Sequence, residues 1–279
     1  MRIEAHRNPL HGGLDEPRRG RLTSGPFDKL SAMPGKVKTE AIVLRSIRYG
    51  EADRILHLYS ASRGRIGAIA KGVRKPRSRF GGRLEPFFRL DLVLHEGRGE
   101  LMTVTAANTI AGHPNLRADG PALGAAARAC DAVLRLCDSE EANPAAYNLL
   151  CRYLAILDGS ESLEGDGCAD GAAALSTALA FRLKLALATG FAPELASCAR
   201  CGEAGELVGF SGAAGGVVCA ACERGGFPLS GEAHGFMVEA LGRPLAQTPD
   251  AGDRALRQAE RAITETLEHH AHVQLRAAA

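Results

Sequence analysis

The stretch "TEAIVLRSIRYGEADRILHLYSASRGRIGAIAKGV", Thr39 to Val73, alternates apolar and polar side chains in three short runs, each ended by turn residues. A period of two marks half-buried β-strands. "FFRLDLVLHE" (Phe87 to Glu96) and "LMTVTAA" (Leu101 to Ala107) repeat the pattern, and "RYGEA", "ASRG", "RKPRSRFGGRLEP" and "GRG" separate the runs. Five short antiparallel strands in so little chain predict a small closed barrel over residues 37–112. An OB-fold is the expected form, with an SH3-like barrel as the alternative.

Charge follows the same boundary. The formal net charge of +2 hides 13 Lys and Arg against 5 Asp and Glu between Val37 and His95, a net of +8 there and −6 elsewhere. A basic module joined to an acidic remainder is the pattern of a protein that meets polyanions with one end. The charge peaks in "KGVRKPRSRFGG", Lys71 to Gly82, where Lys71, Arg74, Lys75, Arg77 and Arg79 stand without an acid and Arg83 follows. With Arg48, Arg54 and Phe80 these form the candidate nucleic-acid contact, the cations meeting phosphates. Arg45, Arg63 and Arg65 add charge, and Tyr49, Tyr59, Phe80, Phe87 and Phe88 are candidate stacking platforms, with Phe80 alternatively an anchor of the loop and one of Phe87 and Phe88 expected in the core.

Residues 1–36 show no sustained period and no apolar run of the secretory type. They are expected to be a disordered extension, or the product of a start placed upstream of Met33. No apolar run approaches the ~20 residues of a membrane span. After Pro114 the period lengthens to that of helices. "PALGAAARACDAVLRLC" places Leu123, Ala127, Cys130, Leu134 and Cys137 on one face; "NPAAYNLLCRYLAILD" opens with Asn143 as N-cap and stripes Tyr147, Leu150, Leu154 and Leu157. Cys130, Cys137 and Cys151 then serve as small core side chains, and Cys168 sits in a loop. A third helix closes at Gly190, Ser230 caps a fourth through Leu241, and "DRALRQAERAITETLEHHAHVQL" supplies a long last one. The expected order is a helical domain over 113–196, a metal module over 197–227, and C-terminal helices over 228–279 completing the helical domain.

The four remaining cysteines fall in two Cys-x-x-Cys pairs, Cys198/Cys201 and Cys219/Cys222, 17 residues apart. Each such knuckle delivers two thiolates, and two knuckles complete a tetrahedral four-cysteine site. The expectation is one structural zinc ion in a ribbon built from a pair of small hairpins, in a reducing cytoplasm rather than a disulfide-forming compartment. Arg200 and Arg224 flank the knuckles and admit a docking role.

No phosphate-binding loop, metalloprotease or nucleophile-elbow motif occurs, and no residue is assigned a catalytic role. Glu51 and Asp53 are the only candidates for a metal-dependent nuclease, a remote alternative. His269, His270 and His272 are read as a polar helix end rather than ligands.

The wording of three segments goes further: "YGEADRI", "KGVRKPRSRFGG" and "GFAPELASCARCG" leading into "CAAC". From Lys38 to Cys222 the chain resembles the bacterial recombination mediator family RecO. The resemblance implies an OB-fold, a helical domain and a four-cysteine zinc module without catalytic turnover. It implies binding of single- and double-stranded DNA, strand annealing, and cooperation with RecR in helping RecA displace single-stranded DNA-binding protein (SSB) at gaps. It also implies capture of the acidic, apolar C-terminal tail of SSB by the helical domain, where Arg128, Arg135 and Arg152 are basic candidates, and a cytoplasmic, nucleoid-associated location. The alternative is an RNA-binding factor with the same barrel and ribbon.

Overall fold

The computed structural model describes residues 35–161 and 171–278. The expectations for the N-terminal extension up to residue 34 and for Cys168 lie outside the described residues. Lys36, assigned above to the extension, instead opens the first strand.

Five strands form the barrel: β1 (Lys36–Tyr49), β2 (Asp53–Ser60), β3 (Gly64–Ala70), β4 (Arg89–His95) and β5 (Met102–Ala111). They close in the order β1-β2-β3-β5-β4, with β4 returning to β1. This is an OB-fold. Not all neighbours are antiparallel, however, because β3 pairs with β5 in parallel at Ala68–Met102 and Ile69–Thr103. The long segment from Lys71 to Phe88 crosses one end of the barrel before β4, so the β4–β5 hairpin brings β5 back alongside β3.

Alternation puts Val43, Leu56, Leu58, Ile66, Leu90 and Leu92 inside the barrel. The strand register of β1 shifts between Val43 and Arg45. Ile42 and Leu44 face outward with Tyr59 and join the helical core instead. β4 begins later than the sequence suggests, because Phe87 adopts φ +74°. That turn sends Phe87 into the helical core and leaves Phe88 against the barrel core.

The helices are α1 (Pro114–Ala118), α2 (Gly120–Leu136), α3 (Pro144–Leu157), α4 (Gly171–Ala188), α5 (Gly231–Gly242) and α6 (Asp253–Thr266). The α4 sequence has apolar residues on every side, interrupted by Arg182 and Lys184, as a central helix requires, and α2, α3, α5 and α6 pack around it. Asn143 and Ser230 cap α3 and α5 by accepting from the N–H groups of Ala146 and Ala233, and Gly190 follows α4 at φ +83°. The buried face of α2 is Ala122, Ala126, Ala129, Val133 and Leu136 with Cys130, rather than the expected stripe, since Leu123 is 40% exposed. The last helix is shorter than its period: a wide π-type turn at Leu267–Ala271 ends it, and His272 is left-handed.

Barrel and helices share one seam. The Tyr147 hydroxyl donates to Glu40 Oε1 at 2.8 Å, Arg89 donates to the same carboxylate, and Arg65 N–H donates to the Ser139 carbonyl at 3.1 Å. At Gly64, with φ +62°, an added Cβ would lie 2.2 Å from the Glu141 carbonyl oxygen, so only glycine permits this approach.

Candidate nucleic-acid interface and metal centre

The basic segment is a folded cap rather than a loose loop. Its chain makes successive tight turns, with Lys75 N–H donating to Gly72 O at 3.2 Å, Ser78 to Lys75 O at 3.0 Å and Arg83 to Phe80 O at 3.3 Å. It is tied back to the β1–β2 turn: Asp53 Oδ1 accepts from Gly72 N–H at 2.7 Å, and Arg74 N–H donates to Ala52 O at 2.9 Å. Phe80 and Leu84, 2% and 1% exposed, plug this end of the barrel.

With its apolar residues turned inward, the segment turns its cations outward. Lys71, Arg74, Lys75, Arg77, Arg79 and Arg83 are all exposed, and none forms an ion pair among the described residues. Arg79 lies over the Phe80 ring at 4.8 Å. Arg48 is also exposed at this end, directly opposite Arg54 across β1 and β2. Arg54 differs, because its Nη1 donates to Glu85 Oε2 at 2.8 Å and to Ser46 Oγ at 3.0 Å. Its charge is matched locally, relieving the like-charge pairing with Arg48. Arg63 is likewise matched, by Glu96 at 2.6 Å.

The aromatic expectations need correction. Phe80, taken with the cations as a contact residue, is buried and cannot stack on a base; its role is to anchor the cap. Tyr59 and Phe87 are buried at 1% and 8% exposure, and Phe88 lies beneath the Arg117 guanidinium at 4.8 Å. Tyr49, 53% exposed beside the cap, is the platform left. The register adds a residue missed in the sequence: His57 lies directly opposite Arg45 and next to the row of Arg65 on the outer face. Burial, then Arg45 and Arg65, hold its pKa below the usual 6.5. Alternation plus the β1–β2 pairing was the available signal.

The two Cys-x-x-Cys knuckles meet. The sulfurs of Cys198, Cys201, Cys219 and Cys222 all lie within 4.8 Å of one another, with Cys201 Sγ to Cys219 Sγ at 3.8 Å. A tetrahedral ion with bonds of about 2.3 Å sets its sulfurs about 3.8 Å apart, so the donor set fits one such ion. Backbone N–H groups of Cys219 and Cys201 pull the Cys198 thiol down to about 6, whereas hydrogen bonding among the neighbouring thiols pushes Cys222 up to about 12. Four thiolates this close repel, and a dication removes that repulsion. The module is a single three-stranded sheet in the order β7-β6-β8 rather than two hairpins: β6 (Leu207–Ser211), β7 (Gly216–Cys219) and β8 (Phe227–Pro228). Its buried apolar side chains include Phe210, Val217, Val218 and Phe227.

No other group of three or more potential ligands assembles among the described residues. Asp53 is engaged by the cap, Glu51 is exposed, and His270 Nε2 is hydrogen-bonded to Gly212 O at 2.8 Å. On the helices, Arg135 pairs with Asp131 at 2.8 Å and Arg152 is exposed. Arg128 has a buried Nε without a hydrogen-bond partner among the described residues, in a small cleft that Ala278 helps to line.

The comparisons with known proteins cover both halves of this architecture. Residues 33–113 match the family model for the recombination protein O N terminal region, and residues 117–278 match that for its C terminal region. The chain is 39% identical over 232 residues to the DNA repair protein RecO of Rubrobacter xylanophilus, covering 81% of this chain and 88% of that one. It is 34% identical over 249 residues to RecO of Anaeromyxobacter sp. (84% and 91% covered), and 41% identical over 186 residues to RecO of Frankia casuarinae (66% and 72% covered). With barrel, helices and cysteine cluster all inside the matched spans, the chain belongs to the RecO family of DNA repair proteins.

Proposed function

We propose that this protein is a non-catalytic DNA-binding recombination mediator whose barrel cap grips the sugar-phosphate backbone of single- and double-stranded DNA. The observation that carries this reading is a rigid segment presenting six exposed cations without carboxylate partners among the described residues. A backbone already folded into turns loses little freedom when its side chains meet phosphates, and backbone contacts do not read sequence. Membership of the family supports the further roles: annealing complementary strands, acting with RecR to help RecA load onto SSB-coated gaps, and taking the SSB tail on the helical domain. These roles locate the protein in the cytoplasm at the nucleoid; no helix among the described residues is long and apolar enough to cross a membrane. One structural zinc ion on Cys198, Cys201, Cys219 and Cys222 would close the ribbon; with four thiolates it leaves no open position for substrate.

Replacing Lys71, Arg74, Lys75, Arg77 and Arg79 together by Ala tests the cap. Affinity for DNA is expected to fall by roughly 100-fold or more, and the salt slope by about 3 to 5, near one per lost phosphate. Unchanged affinity and slope would remove the cap from the interface. Competition between single-stranded DNA and RNA checks the polymer, since preference for RNA points to 2′-hydroxyl readout. Strand annealing on SSB-coated DNA then separates a mediator from a simple binder.

A further inference from the structure

The last helix carries a second basic surface, far along the chain from the barrel. Arg254, Arg257 and Arg261 occur at i, i+3 and i+7 on α6, one helical face, and line an open depression of about 420 Å³. Its floor is Phe227 and Pro228 from β8, and Gln258 fixes the wall to that floor. Gln258 Nε2 donates to Pro228 O at 3.1 Å, while its Oε1 accepts from the Ser230 hydroxyl at 2.6 Å. The Arg261 guanidinium lies over the Phe227 ring at 4.0 Å.

These groups are not consumed by the fold. Arg254 forms no ion pair among the described residues, and Arg257 reaches Asp253 only at 4.0 Å with 69% of its side chain exposed. Arg261 pairs with Glu265 at 2.8 Å yet remains 58% exposed. The Arg261 guanidinium lies against the Phe227 ring and lines the depression. Along the helix the three cations span roughly 10 Å, in steps of about 5 Å. A row of guanidiniums at that spacing can meet phosphates along one strand, and an exposed planar cation beside it can take an unstacked base, which only a single strand offers.

We infer that this depression is a second binding site for single-stranded nucleic acid: Arg254 and Arg257 take successive phosphates, and a base stacks on Arg261. The apolar floor beneath a planar cation favours a ring over a purely ionic partner such as an acidic peptide. The inference rests on the proposed DNA-binding function and extends it, because a protein with one strand on the barrel cap and another here holds both partners of an annealing reaction.

The test uses the full chain, fluorescent oligo(dT) and the same oligonucleotide with abasic sites. In the cap variant lacking Lys71, Arg74, Lys75, Arg77 and Arg79, weak oligo(dT) binding is expected to persist. Adding Arg254→Ala, Arg257→Ala and Arg261→Ala should weaken that remaining binding by a further tenfold or so, with thermal unfolding unchanged. Arg261→Lys in the cap variant, keeping charge but not the plane, should shrink the preference for oligo(dT) over the abasic strand, with Tyr49 the other stacking platform. The site is overturned if the added arginine changes leave the remaining binding untouched, if Arg261→Lys leaves the cap variant unchanged on both strands, or if the arginines govern binding of oligo-glutamate but not of oligo(dT). A cap variant that binds like the parent protein would refute the barrel reading alone, since the α6 substitutions are scored in either background.

Discussion

The basic cap and the cysteine module are both short, turn-rich segments that lean on a neighbouring core, yet only the module adds converging ligands. The cap buries Phe80 and Leu84 in a barrel core that exists without it, so a neighbouring hydrophobic interior fixes its shape. The module sends Phe210, Val217 and Phe227 of its small sheet into the helical core, while its two knuckles converge on four sulfurs. The knuckles themselves bury little, and an ion on their four sulfurs would supply what burial does not. A functional loop can thus be ordered by a borrowed core alone or with an ion in addition, and each choice exposes different residues. The cap turns its cations to solvent, whereas the module turns its four sulfurs toward one another near the surface.

Metal removal separates the two segments most severely. Chelation, or Cys198→Ser, is expected to unfold the β6–β8 sheet, since binding of structural zinc contributes on the order of 10 kcal/mol in small ribbons. Hydrogen exchange should show those amides losing protection while β1–β5 keep theirs; equal loss in both would mean that the barrel also depends on the ion. Phe80→Ala is the matching change in the cap, with an expected cost of about 3–5 kcal/mol by chemical denaturation. DNA affinity should fall with it although no charge is lost. Full affinity in a variant with a disordered cap would show that rigidity is irrelevant.

Smaller effects are expected at the seam, where neither an ion nor a core plug is involved. Gly64→Ala places a methyl group against the Glu141 carbonyl at positive φ, so a loss of about 1–3 kcal/mol is expected in unfolding experiments. Tyr147→Phe removes only the hydrogen bond to Glu40 and should cost about 0.5–1.5 kcal/mol. His57 gives the slightest and most specific signal. Its pKa in the fold lies below 6.5 through burial and the two flanking arginines, so its contribution to stability is full above pH 6.5 and declines as pH falls through the folded value. Bound phosphates reverse that penalty, and DNA binding should then take up protons below pH 6.5; His57→Gln should abolish the uptake.

Much of this was legible in the residues. Alternation gave the five strands, the Asn143-Pro144 and Ser230 caps gave helix starts, and the two knuckles gave the cysteine cluster, because each rests on local chemistry. The buried face of α2 was not legible, since an alanine-rich helix offers no contrast between its sides. Nor was the fate of the aromatics. Phe80 sits in the most charged stretch of the chain and looks exposed there, but only the barrel's open end makes it turn inward.

Which elements form, where the positive charge concentrates and which thiols can share an ion were all set by the residues in their order, since periodicity, net charge and ligand spacing are properties of chain neighbours. The parallel β3–β5 pairing, the cap's anchoring by Phe80 and Leu84, and the meeting of Phe227 with Arg261 arise only once the chain has folded. Burial and stacking depend on surfaces brought together from distant parts of the chain, and no local pattern encodes which surface will be there.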